Sequence, residues 1–212
     1  MVEVSMRERK KEATKTNILK AALELINEHG FSSTTMQLIA EKADVALRTL
    51  YNYFPSKETI VATYLQMAVE EEQEKSWAEV MELGATYERL ILFCQKSMEW
   101  IKENPVLVEV YTVDPRNYIF STGPADIPRS GLEELVAKLM EMGQQMGDVT
   151  KSVPVKVLTR QFLGFYHFSI LTWLCDNKQD LFKIFKEGLD LFWGGVKTKT
   201  VDPGTVLWGM FG

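Results

Sequence analysis

Between Thr34 and Lys57 the chain gathers side chains suited to one kind of chemistry: Thr35, Gln37, Arg48, Thr49, Tyr51, Asn52, Tyr53 and Lys57. Hydroxyls, amides, a guanidinium and an ammonium donate hydrogen bonds to oxyanions and to the edges of heterocyclic bases. They do not make a nucleophile with its base. No Ser/His/Asp set, carboxylate pair, phosphate loop or metal-ligand spacing accompanies them, so the sequence reads as a non-enzyme with no cofactor.

Those side chains need a frame. Ile18, Leu19, Ala22, Leu23, Leu25 and Ile26 recur at helical spacing and predict a first helix over residues 8–28. Gly30 follows as a left-handed cap, with Phe31 folding back on the helix. The next helix is expected to open at Thr34, with Leu38, Ile39 and Ala40 as its apolar side. Gln37, three residues on, is placed to complete a capping box. Residues 42–44 form a turn. There Ala43 is small enough for close approach, and Asp44 tolerates a turn conformation that glycine would adopt more easily. A short third helix covers about residues 46–53, Pro55 stops it, and Ser56 caps a long fourth helix. A helix–turn–helix of this kind lays its second helix in the major groove of DNA.

The segment also resembles the N-terminal DNA-binding domain of TetR-family transcriptional regulators. The matching elements are Ile18-Leu19, Ala21-Ala22, Gly30-Phe31, Thr34-Thr35, Ile39-Ala40, Ala43, Val45, Thr49-Leu50-Tyr51, Tyr53-Phe54 and Ser56-Lys57-Glu58. The match covers about the first quarter of the chain. Family members often have Gly at the position of Asp44, Ser at Ala46 and Gly at Arg48. The last departure puts a long cation at the head of the reading helix and should change the preferred operator.

Arg48 lies in the turn that reaches base edges in such docking, and its guanidinium can bridge two guanine acceptors or pair with a phosphate or Asp44. Gln37 serves a base or its own helix. Leu47 touches a thymine methyl or is idle. Thr49, Tyr51, Asn52 and Tyr53 stand at phosphate height, Tyr51 first among them by the resemblance, whereas Tyr53 equally suits packing. Leu50 and Phe54 read as core. Lys57 and Thr35, each at a helix start, suit phosphates.

The chain has 212 residues, 46% of them apolar, and a net charge of −5. Residues 1–60 carry nine Lys and Arg against eight Asp and Glu, so DNA binding rests on arrangement rather than on net charge. Cys94 and Cys175 lie in apolar segments and read as reduced thiols of a cytoplasmic protein. His29 and His167 lack ligand-like neighbours, which argues against a metal. The longest uncharged run, residues 161–175, is too short to span a bilayer.

The fold class expected is all-α: a helix–turn–helix domain over 1–55, a helical effector-binding and dimerisation domain over 56–197, and an unassigned tail over 198–212. Helices are expected over 86–103, 132–146 and 155–175, with a Pro- and Gly-punctuated connection over 114–130. The segment 155–175 is apolar nearly all round, so both its sides should be covered. Phe162, Phe165, Leu181, Phe185, Leu189, Phe192 and Val196 on the last two helices are the expected homodimer interface, pairing as a four-helix bundle; closing the domain's own core is the rival role.

Phe93, Trp100, Tyr111, Phe120, Met142, Phe162, Phe165, Tyr166, His167 and Trp173 are the candidate lining of a cavity for a small apolar or aromatic effector. The function expected is that of a repressor released by this effector from a palindromic double-stranded operator. The alternative is a helical protein-interaction or ligand-carrier dimer without specific DNA binding.

Overall fold

A computed structural model describes residues 5–114 and 131–198. Its described residues form nine helices: α1 Met6–His29, α2 Met36–Lys42, α3 Leu47–Tyr53, α4 Lys57–Glu82, α5 Thr86–Glu103, α6 Pro105–Thr112, α7 Leu132–Met146, α8 Val155–Cys175 and α9 Leu181–Val196. The expected all-α class holds. No helix among the described residues is long and apolar enough to cross a membrane. Phe120 and the connection around it, and the tail beyond Thr198, lie outside the described residues.

Local chemistry sets the helix ends. Ser5 and Glu8 form a reciprocal capping box on α1, which therefore starts earlier than its apolar stripe. Gly30, at φ 79°, ends it. Thr35 rather than Thr34 caps α2, its hydroxyl accepting from the Leu38 amide at 3.2 Å. Thr34 is buried and donates to the Gly30 carbonyl at 2.9 Å. The expected capping box with Gln37 is absent: the third helical position is Leu38, and Gln37 bonds Glu41 at 2.8 Å instead. Asp44, at φ 51°, makes the left-handed turn where glycine would be unstrained. Ser56 caps α4, which at 26 residues is about 39 Å long.

The buried residues form separate clusters. One joins α1, α2 and α3 to the start of α4 through Ile18, Ala22, Ile39, Leu50, Phe54 and Ile60. A second, containing Ile26, Val61, Leu65, Leu107 and Tyr111, ties α1, α4 and α6 together. The largest joins α5, α7, α8 and α9 around Phe93, Met98, Leu139, Phe162 and Phe185. The α7–α8 connection is knotted to both ends of this body. The Asp148 carboxylate accepts from the Thr86 amide at 2.8 Å and its hydroxyl at 2.9 Å, supplying the cap that α5 lacks from its own sequence. Thr150 and Thr198 then tie this connection to the end of α9.

The side chains expected at a subunit interface are elsewhere. Phe162, Leu181, Phe185, Leu189 and Val196 are buried within the single chain, and Phe165 and Phe192 pack on them in a ring cluster with centroids 5.0–6.1 Å apart. Periodicity identified an apolar stripe but not which side of the helix pair it faces. The uncovered side carries Val157 and Phe168 on α8 and Leu191 on α9, the last two 69% and 82% exposed. Within the single chain α8 is left uncovered along that stripe.

Candidate nucleic-acid interface and cavity

The helix–turn–helix is held as one rigid piece. Leu50 and Phe54 fix α3 from below, at 0% and 2% exposure. The Asn17 amide donates to the Ala43 carbonyl at 2.8 Å and pins the turn to α1. Lys42 reaches Glu24 at 3.1 Å and Glu28 at 3.5 Å, tying α2 to α1.

With one face of α3 committed to the core, Arg48, Tyr51 and Asn52 share the opposite arc, three and four residues apart, and all are exposed. Thr35 and Gln37 are exposed at the start of α2. Thr49 is half-buried. The arrangement is a convex polar ridge with a cation at its leading end. Such a ridge fits a groove lined by base-edge acceptors and flanked by phosphates.

Three expected contacts are placed differently. Leu47 and Tyr53 are half-buried and pack against the head's core, because each stands three residues from buried Leu50 and so shares its face of α3. Lys57 does not project as a phosphate ligand. Its ammonium donates to the Phe31 carbonyl at 2.7 Å and the Thr34 carbonyl at 3.0 Å, and lies 4.2 Å from the Phe31 ring centre. It closes the gap between the end of α1 and the start of α4, an arrangement of backbone carbonyls invisible in local sequence. Asn17 went unnoticed in the sequence; a polar residue just before an apolar stripe was its only signal.

Away from the head, α4, α5, α6, α7 and α8 surround a cavity of two adjoining lobes. They hold about 390 Å³ and 440 Å³ of empty space, part of it open to solvent. Val69, Ser97, Trp100, Leu132 and Tyr166 line both lobes. Phe93 lines one; Leu65, Tyr111, His167 and Ile170 line the other. Of the expected lining residues the structure brings together Phe93, Trp100, Tyr111, Tyr166 and His167. Phe162, Phe165 and Trp173 belong to the body's core, and Met142 stands on another side of α7. Large aromatic side chains mark core and cavity alike, so composition could not separate them. Ser97 is the liner that sequence could have flagged, a hydroxyl on the apolar face of α5.

Polar groups in the cavity wall are few and bonded. The Ser97 and Tyr166 hydroxyls are 2.5 Å apart. Burial pushes the Tyr166 phenol up, so it stays protonated. His167 Nδ1 lies 2.8 Å from the Leu163 carbonyl, and burial pulls its pKa down to about 4, the carbonyl offsetting part of that. Tyr166 and His167 are therefore uncharged at neutral pH, and Glu72 is the acidic side chain of the wall. Cys94, nearby in the body's core, is held as a thiol by burial. Among the described residues no cluster of His, Cys, Asp and Glu is arranged to hold a metal.

Residues 18–64 match the bacterial regulatory proteins, tetR family. The HTH-type transcriptional repressor KstR of Mycolicibacterium smegmatis is 30% identical over 172 residues, covering 80% of this chain and 78% of that protein. Among solved structures, the fold is similar to that of Thermus thermophilus FadR, a repressor in complex with lauroyl-CoA. That likeness has a TM-score of 0.78 at 22% identity and covers 89% of this chain and 97% of the other. Bacillus subtilis FadR, in complex with stearoyl-CoA, has a TM-score of 0.66 at 22% identity and covers 85% and 98%. The ridge on α3, the matched segment and the extent of the KstR match lead to one conclusion: this chain belongs to the tetR family of bacterial regulatory proteins and is a DNA-binding transcriptional regulator, not an enzyme.

Proposed function

We propose that the protein is a homodimeric repressor that leaves a two-fold operator when a ligand with a long apolar chain enters the cavity between α4 and α8. The observation that carries this reading is that the cavity and the reading head share α4. Leu65 and Val69 of α4 line it, and Trp100 of its wall packs on Tyr64 of α4 with ring centres 6.3 Å apart. Tyr64 in turn packs on the head's core. Tyr111 of the wall shares a buried cluster with Ile26 of α1. A ligand that widens the space between α4 and α6 therefore moves the base of the head.

Arg48, Tyr51, Asn52, Thr49, Thr35 and Gln37 are the proposed DNA contacts, with Arg48 on a base edge and Tyr51 on a phosphate. Half-sites for paired heads are separated by whole turns of about 34–36 Å. Pairing through the uncovered faces of α8 and α9, where Phe168 and Leu191 stand exposed, supplies the second head. The mostly apolar wall, with Glu72 as its acidic side chain, supports an alkyl or acyl chain as the buried part of the ligand, as do the acyl-CoA complexes of the two FadR proteins. The ligand lowers operator affinity by the difference in its affinity for the two head spacings and by no more.

The test starts with selection of bound duplexes from a random pool, which yields the operator and its symmetry. Fluorescence anisotropy of that duplex is then followed during titration with lauroyl-CoA, stearoyl-CoA and free coenzyme A. Release by the acylated forms alone is expected. A stable complex at saturating acyl-CoA overturns the effector, and selection of an asymmetric site overturns the paired heads.

A further inference from the structure

We propose that the first three turns of α1 form a basic arm that lies along the phosphate backbone of DNA beside the site read by α3. The proposal rests on α3 as the reading helix and adds a second contact surface to it. Residues 5–13 are exposed throughout, so the start of α1 stands clear of the rest of the described chain. A helix without tertiary packing is marginal in water. This one is held by local bonds instead. They are the Ser5–Glu8 capping box, Thr14 on the Lys10 carbonyl at 2.9 Å, and Thr16 on the Glu12 carbonyl at 3.0 Å.

Its direction is fixed. The bond from Asn17 to the Ala43 carbonyl sets α1 against the turn that leads into α3. Arg7 lies ten residues before Asn17, about 15 Å along the axis beyond that turn. From Ile18 onward the inner stripe of α1 (Ile18, Ala21, Ala22, Leu25) packs against α2 and α3. Followed back past the turn, the same stripe becomes cationic. Lys11 is seven residues before Ile18 and Arg7 eleven, near-whole numbers of turns, with Lys10 beside them. Glu8 and Lys10 flank that stripe at roughly 80° on opposite sides, and Glu12 is rotated roughly 120° away.

Residues 6–16 hold five cations and two anions in a chain of net charge −5. Arg7, Arg9, Lys10 and Lys11 make no ion pair among the described residues. The face is apolar where protein covers it and positive where protein ends. A polyanion continuing past the reading helix is the occupant that this charge pattern fits, and duplex DNA held on α3 is such a polyanion.

The experiment compares the full-length protein with Arg7→Gln/Lys10→Gln/Lys11→Gln, which keeps good helix formers. Operator duplexes selected with the parent are titrated between 50 and 200 mM salt, with an unrelated duplex alongside. Loss of two to three phosphate contacts makes the slope of log K against log salt shallower by roughly 2–3 and weakens both duplexes by similar factors. The base preference stays as in the parent, and Glu12→Gln, off the stripe, leaves the slope alone. An unchanged slope in the triple variant overturns the arm while leaving α3 as the reader. A parent that retains no duplex overturns both, and a changed base preference would make the arm a reader rather than a backbone contact, also overturning it.

Discussion

On α3, Arg48, Tyr51 and Asn52 stand in solvent on a helix whose other side is locked by Leu50 and Phe54. In the body, Ser97, Tyr166 and His167 turn inward and satisfy one another or the backbone around open space. The two regions spend polar groups in opposite directions because they meet different partners. Duplex DNA brings its own charge and water, so a head that reads it must be stiff and wet. A buried ligand replaces water, so its site must be dry and able to yield. The head has one small core; the body has a large core beside a cavity.

The largest expected effect tests the head's stiffness. Phe54→Ala removes a side chain that is 2% exposed beneath α3 and should cost about 3–5 kcal/mol in denaturant unfolding. Duplex binding should fall with it, while ligand binding in the body persists if the two regions are energetically separate. Equal loss of both would erase the contrast.

The body has a pH signature at His167. His167 is buried with its pKa lowered to about 4, below its unfolded value. Between roughly pH 6.5 and 4 the unfolded chain binds the proton that the folded chain refuses. The stabilisation is thus complete above about pH 6.5 and is lost as pH falls toward 4, a change of order 3 kcal/mol. Stability of His167→Gln measured across that window should show a flatter curve than the parent; parallel curves would mean that His167 charges without penalty.

A third variant sharpens the picture of the body's closure. A Cβ on Gly143 would stand 2.5 Å from Val149 Cγ2 and 2.6 Å from Thr86 Oγ1, at the knot capped by Asp148. Gly143→Ala should destabilise by about 1–3 kcal/mol in thermal or denaturant unfolding. No loss would mean that the knot can shift freely.

Arg48→Ala tests the head's reading role with its fold intact. It should narrow the preference for the selected operator over single-base variants by about 1–3 kcal/mol in competition binding, with the melting temperature unchanged. The smallest change separates scaffold from contact. Lys57→Met keeps the stem over Phe31 but removes two bonds to carbonyls, and should cost about 1–3 kcal/mol of stability. The salt dependence of its duplex binding should stay as in the parent; a salt slope shallower by about 1 would return Lys57 to the interface as a phosphate contact.

Much of this was written locally. The apolar spacing and the punctuation by Gly30, Pro55 and Ser56 located the helices, and α5, α7 and α8 occupy the predicted ranges. Leu50 and Phe54 were legible as core because they stand four residues apart on the face away from Arg48 and Asn52. The cavity was legible only in part. Tyr166 and His167 line it, while Phe162 and Phe165 on the same helix do not.

By itself the sequence determined the helical class, the helix–turn–helix and the outward arc of α3, since caps, turns and periodicity act over a few neighbouring residues. Tertiary structure alone decided that Phe168 and Leu191 stay uncovered while Phe162 and Phe185 go inside, that Lys57 ends on two carbonyls, and which aromatics border empty space. Those outcomes depend on which distant helix arrives beside each side chain, and nothing in the local spacing of residues encodes the identity of that neighbour.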